Sequence, residues 1–291
     1  MYSAIAANKR NTILIMLVFV FVIAGLGWGI SLYYGDPTLL YYVGVGALIY
    51  AVIQYYIASK VALAVTGAKA IEKKDNPRLY RIVENLSIAT GMPTPKIYII
   101  DDPSPNAFAT GRDPRHASVA ATTGLMEIMN DQELEAVMAH EMGHVQNYDI
   151  RVSMIVFGLV AAIGLISDVV LRMMIFGDRD RNNVSPVFIL IGVVAIILAP
   201  IVALLIQAAV SRQREYLADS TGALTTRYPE ALATALEKLQ KNTKPMKRQN
   251  GSTAHLFFSN PMKPGFFSKM FSTHPPLGDR IARLRGLKGK M

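Results

Sequence analysis

The 291-residue chain contains no cysteine. That absence excludes disulfides and thiolate metal sites, so any bound metal must be held by histidine and carboxylate. Charge is also missing from long stretches. Thr12 to Tyr33, Thr38 to Ser59 and Val184 to Ser211 carry no Asp, Glu, Lys or Arg. Each has the roughly 20 residues that a helix needs to cross the ~30 Å hydrocarbon core of a bilayer. A further run, Val152 to Phe176, third in chain order, is broken only by Asp168 and Arg172, which at i,i+4 can neutralise one another near a helix end. With 52% hydrophobic residues and a mean hydropathy of +0.30, an ordinary soluble domain is excluded. Lys9 and Arg10 give the first run the flank of a secretory signal. It is too long for one and lacks a small-x-small cleavage pattern, so it reads as a retained anchor.

The net charge of +9 invites a nucleic-acid reading, but no basic motif interleaved with aromatics supports it. The cations instead flank the apolar runs. Lys9 and Arg10 precede the first; Lys60, Lys69, Lys73, Lys74, Arg78 and Arg81 follow the second; Arg151 precedes the third; Arg212 and Arg214 follow the fourth. This positive-inside distribution predicts that both termini and the polar middle face the cytoplasm, and that the Ser31 to Thr38 loop, which has no Lys or Arg, faces outward. The bilayer, with its anionic lipids, is the expected partner of the basic face; nucleic acid is not.

Between the apolar runs the pattern is that of a small α+β domain. Asn76 to Ala89 has helical periodicity and stops at Gly91-Met92-Pro93. Lys96 to Ile100, Asn106 to Gly111 and Ser118 to Thr123 read as short strands, with a turn at Arg112 to Arg115. Asn130 or Asp131, with Glu133, opens another helix. Arg212 to Leu224, Pro229 to Lys241 and Gly278 to Leu287 are predicted helices, and Asn242 to Ser272, rich in Gly, Pro, Asn and Lys, is predicted to be a mobile loop.

The helix after Asn130 carries His140-Glu141-Met142-Gly143-His144. Residues four apart lie on one helix face, so both imidazoles converge on one point with Glu141 beside it. That geometry suits zinc, with the carboxylate positioned to take a proton from an attacking water. A third ligand is needed. The His six residues on that a metzincin requires is absent: Ile stands at 150. Glu215, which shares a helix face with Asp219, is the better candidate; one carboxylate can ligate while the other holds a ligand histidine through its second nitrogen. Asp149, off the ligand face, is the alternative. A tetrahedral oxyanion requires a further donor, for which His274 before two prolines is the candidate, with Arg280 or Tyr216 as alternatives. Asn106 to Gly111, with Asn106, Ala107, Phe108 and Ala109 as its candidate binding residues, forms a candidate edge for an extended peptide substrate, and its small residues Ala107, Ala109 and Gly111 permit close backbone approach.

Asn106-Ala107-Phe108-Ala109-Thr110-Gly111, the pentapeptide at 140–144, Arg214-Glu215-Tyr216-Leu217-Ala218-Asp219 and Ser272-Thr273-His274-Pro275-Pro276 occur in this order. Together they resemble the HtpX-type membrane metalloproteases, gluzincins related to the CAAX prenyl proteases, over nearly the whole chain. The resemblance implies one zinc per chain on His140, His144 and Glu215, Glu141 as catalytic base, and endopeptidase action on misfolded or damaged membrane proteins in quality control and stress response. It also implies a multi-pass protein of a prokaryotic inner membrane. The expected fold is thus α+β and mostly helical, with about four transmembrane helices and a small zincin-like cytoplasmic catalytic domain. Its predicted parts are a two-span anchor (1–59), the front half of the catalytic domain (60–151), a second transmembrane pair (152–211) and the back half with the third ligand (212–291). A CAAX prenyl-type protease and a non-proteolytic membrane chaperone are the rival readings. The first implies seven spans where four are found, and the intact Glu141 opposes the second.

Overall fold

The computed structural model describes residues 2–159, 161, 212–242, 244–248, 253, 256–259 and 275–287. Helices α1 (Tyr2–Tyr34) and α2 (Thr38–Thr66) cover the first two uncharged runs. Both are long and apolar enough to cross a membrane, over Ile5–Gly25 and Thr38–Thr66. They turn apolar side chains outward along their length, among them Ile13, Phe21, Tyr42, Leu48 and Ile49. Lipid, not water, matches such a surface. Gly35, at φ 68°, supports the short turn between them.

A four-stranded mixed sheet follows: β1 (Lys69–Ala70), β2 (Lys96–Ile100), β3 (Ala107–Gly111) and β4 (Ala117–Thr122), in the order β1-β2-β4-β3. β2 and β4 are parallel, and the outer pairs are antiparallel. Between β1 and β2 lies α3 (Pro77–Thr90), whose Asn76 side chain accepts the Leu79 N–H at 2.9 Å. After β4 come α4 (Thr123–Ile128), α5 (Asp131–Gln146) and a helical segment, α6 (149–159). The remaining helices among the described residues are α7 (Arg212–Thr226), α8 (Pro229–Lys241) and α9 (Leu277–Gly286). Sequence periodicity missed β1 and α4, which are too short to carry one. The rest of the third apolar run and all of Val184 to Ser211 lie outside the described residues.

Side chains alternate across the sheet as a two-residue period requires. Ala107, Ala109, Val119 and Ala121 face the main core, where Leu79 and Val83 of α3, Val137 and Met138 of α5, and Leu232 and Leu236 of α8 are buried. Phe108, Ala120 and Ile100 face the other way, onto Ala58, Ala62 and Leu63 of α2 and Met154 and Phe157 of α6. The sheet is therefore packed between the α5 layer and the ends of the helices that reach the apolar region. Val152, Ile155, Val156 and Leu159 of α6 also pack on Ile15 and Phe19 of α1 and on Ala47 of α2.

The stretch expected as a mobile loop is docked in its described residues. Met246, Thr253, Leu256, Phe257 and Phe258 are buried. Ser104 Oγ donates to Lys244 O at 2.5 Å, and the Lys247 N–H donates to Asp102 Oδ2 at 2.7 Å. Burial of its phenylalanines outweighs the loop-like composition of the flanking residues.

Candidate metal centre

Helix α5 is anchored at its start by a reciprocal cap. The Asn130 side chain accepts the Glu133 N–H at 2.9 Å, and Glu133 Oε2 accepts the Asn130 N–H at 2.8 Å. Lys238 of α8 donates to the same carboxylate at 2.6 Å, fixing where the helix begins and so where His140 and His144 point. Their Nε2 atoms stand 3.1 Å apart. Helix α7 crosses α5 at Gly222, where a Cβ would lie 3.0 Å from His140 N. Only this close approach brings Glu215 to the histidines: Oε1 is 3.5 Å from His144 Nε2, and Oε2 is 3.8 Å from His140 Nε2. One ligand atom from each of His140, His144 and Glu215 lies within 4.8 Å of the others.

Carboxylates hold the opposite ring nitrogens. Asp219 Oδ1 is 2.9 Å from His140 Nδ1, and Asp149 Oδ2 is 2.9 Å from His144 Nδ1. Each imidazole therefore presents Nε2 inward, the arrangement that fixes tautomer and orientation in metal sites. Zn–N bonds of about 2.0–2.1 Å in a tetrahedral shell separate two nitrogens by roughly 3.3 Å. The donor set fits such an ion.

Arg280 of α9 is fully buried behind this layer. Its Nε and Nη2 donate to the two oxygens of Asp219 at 2.9 and 2.6 Å, and Nη1 stands 3.3 Å from Glu215 Oε2. A bidentate pair of this kind suits burial, because the guanidinium offsets the carboxylates around it. On the other side, Asn8 of α1 donates through Nδ2 to Asp149 Oδ1 at 2.7 Å and to Asn147 O at 2.8 Å.

The two histidines are driven apart electrostatically. Burial lowers His140 to about 4; the Asp219 hydrogen bond opposes this, while the charge of Arg280 adds to it. Burial acts in the same sense on His144. There the Asp149 hydrogen bond and the charges of Glu215, Asp149 and Glu141 together outweigh it, raising the group to about 9. Asp219 is held below the ordinary carboxylate range: burial pushes it up, but Arg280 and His140 prevail.

Residues 73–288 match the family described as Peptidase family M48. The chain belongs to peptidase family M48. Among its M48 relatives, a "Protease HtpX homolog" of Tropheryma whipplei (strain Twist) is 58% identical over 285 residues, covering 98% of each chain. One from Dictyoglomus turgidum is 43% identical, over 98% of this chain and 94% of that one. The crystal structure of S. mikatae Ste24p has the same fold at a TM-score of 0.53 and 21% identity, over 96% of this chain and 67% of that one. This M48 member is a membrane metalloprotease, a hydrolase with a metal cofactor.

The structure brings His140, His144, Glu215 and Asp219 together and buries Glu141 beside them. His274 lies outside the described residues. Arg280 is committed to Asp219, and Tyr216 lies under the Arg283 guanidinium, 4.0 Å from ring centroid. Asp149 faces Nδ1 of His144, not the side where the Nε2 atoms converge. Ala107 to Ala109 lie in the outer strand β3, with Asn106 just before it, but the edge is covered at its start. The Phe258 N–H donates to Ala107 O at 2.9 Å, while the Asn106 amide brackets Ser259, accepting its N–H at 3.0 Å and donating to its carbonyl at 2.8 Å. Phe258 stands edge-on to the His140 ring at 4.8 Å. Sequence reasoning missed the roles of Asp149 and Asn8. Five residues of spacing from His144 is a visible clue for Asp149, whereas nothing local distinguishes Asn8.

Proposed function

We propose that the chain is a zinc endopeptidase that cleaves unfolded or damaged membrane polypeptides on the cytoplasmic side of a prokaryotic cell membrane, in protein quality control. The observation that carries this reading is the convergence of two oriented imidazoles and a carboxylate, with a second buried carboxylate, Glu141, next to them.

His140, His144 and Glu215 are the proposed zinc ligands, one ion per chain. Zinc, when bound, makes water acidic enough to attack at neutral pH and polarises the carbonyl oxygen. Glu141 takes the proton of the attacking water and returns it to the departing amine. Asp219 and Asp149 keep both imidazoles in the Nε2-inward tautomer. Arg280 holds Asp219 in turn and moderates the negative charge of the site. His274 remains the proposed oxyanion donor.

An extended substrate would add to β3, gripped by main-chain bonds at Ala107 and by the Asn106 amide. Such contacts ask little of substrate sequence, which suits a protease of unfolded chains. Phe258 and Ser259 make these same bonds in the structure, so a peptide entering here takes their place. The Lys and Arg pattern supports four crossings, with 1–59 and 152–211 as paired spans and 60–151 and 212–291 as the two halves of a cytoplasmic catalytic unit.

Casein digestion by the full chain in detergent tests the reading. Cleavage should stop with a chelator and return with added zinc; cleavage indifferent to the chelator would refute it.

A further inference from the structure

Where α2 meets the sheet there is a pocket of about 310 Å³ that shares no residue with the metal centre. Tyr55, Tyr56 and Lys60 of α2 form one side, and Lys96 of β2 with Arg112 and Arg115 of the β3–β4 turn forms the other. No carboxylate lines it. Asp113, next in sequence to the lining residue Arg112, is engaged by its own turn: its Oδ1 accepts from His116 Nδ1 at 2.8 Å, and Oδ2 lies 3.6 Å from Arg112 Nε. Among the described residues, Lys60, Lys96 and Arg115 have no carboxylate within salt-bridge reach. Three cations without a carboxylate partner around one concavity make it a suitable seat for an anion.

The depth of the pocket indicates which anion. Helix α2 starts at Thr38, and at 1.5 Å per residue Lys60 stands roughly 33 Å along it, one hydrocarbon thickness away. The large exposed apolar side chains of α2 end at this level: Val52, Ile53, Tyr56, Ile57 and Val61 are exposed, whereas Ala58, Ala62 and Leu63 are buried against the sheet. Tyrosines at such a boundary, with cations just beyond, match the headgroup layer. Arg112 also stacks over Tyr56, 5.1 Å from the ring centroid, which keeps its guanidinium at the mouth. Lysine and arginine recognise phosphate by charge and by hydrogen bonding.

We propose that this pocket binds the phosphate of an anionic phospholipid headgroup, holding the sheet, and with it α5, against the membrane surface. The proposal rests on reading α2 as a span.

The test uses the full chain in a non-ionic detergent, titrated with short-chain phosphatidylglycerol, short-chain phosphatidylcholine or inorganic phosphate and followed by native mass spectrometry. Phosphatidylglycerol should bind saturably and more tightly than either alternative. Lys96→Gln/Arg115→Gln should weaken it about 25-fold, at about fivefold per cation. Both side chains are exposed, so the fold and its zinc content should be retained. Lys73→Gln/Lys74→Gln, with the same loss of charge elsewhere, should bind like the parent chain. Equal binding by both double variants would overturn the site. Equal affinity for inorganic phosphate or for phosphatidylcholine would overturn the lipid assignment. If Pro37→Cys is labelled from outside while the lipid titration fails, the pocket proposal falls and the span stands.

Discussion

His140 and His144 are the same side chain one helical turn apart, yet their surroundings pull them in opposite directions, to about 4 and about 9. In the metal-free chain at pH 7 His140 is therefore neutral and ready to ligate, whereas His144 carries a proton that zinc must displace. Calorimetry in buffers of different ionisation enthalpy should find close to one proton released per zinc at pH 7, with affinity rising until about pH 9. Zinc binding without proton release would contradict this. For the metal-free fold, the stability that His144 contributes is fully present below its unfolded value near 6.5 and is lost as pH rises through about 9. His140 has the opposite sign: its contribution is present above 6.5 and is lost as pH falls through about 4. Asp149 raises His144 and Asn8 orients Asp149, so Asp149→Asn should weaken zinc binding about 10- to 100-fold, with a smaller loss for Asn8→Ala. Metal competition titration measures both, and an unchanged affinity in Asp149→Asn would remove that residue from the site.

At the level of elements, α5 and α7 act as one unit because glycine lets them touch. A Cβ on Gly222 would meet His140 N at 3.0 Å and Cα at 3.2 Å, against backbone that cannot swing away; on Gly143 the nearest atom is 3.4 Å off, an ordinary contact. Gly222→Ala should therefore lower the melting temperature, an overpacking cost of about 1–3 kcal/mol, and reduce zinc affinity as Glu215 is pushed back. Gly143→Ala, relieved of glycine's helix penalty of about 1 kcal/mol, should melt no lower than the parent. The reverse ranking in thermal melts would show that the helix crossing does not position Glu215. The elements themselves were legible: Lys96–Ile100 and Pro229–Lys241 fall where β-branched and aromatic residues and proline placed them, and Asn130 caps α5. The four residues that meet at the site, from α5 and α7, were legible too, because histidine and carboxylate at i,i+4 leave a local trace. Contacts between distant segments leave none. Asn8 reaches Asp149 across 141 positions and Ser259 reaches Asn106 across 153, and no local window of sequence contains both partners.

Over the whole molecule, the metal helix lies between what the anchor offers and what the C-terminal part brings. Asn8 arrives from α1, Glu215 and Asp219 from α7, and Arg280 from α9, so the site is assembled only when both ends of the chain fold onto α5. The proposed topology is testable without removing native thiols, because there are none. Single cysteines at Pro37 and Asn182 should react with an impermeant maleimide from outside, and one at Lys74 only from the cytoplasm. Cytoplasmic labelling of Asn182 would leave two crossings instead of four. The most direct measurement is of zinc content and casein cleavage together in the Glu141→Gln chain. Metal analysis should find about one zinc per chain, as in the parent protein, because His140, His144 and Glu215 are intact. Proteolysis should fall by about 10²- to 10⁴-fold, because the proton acceptor is gone. Cleavage at the parent rate by zinc-loaded Glu141→Gln would contradict the assignment of Glu141 as the base of a zinc peptidase.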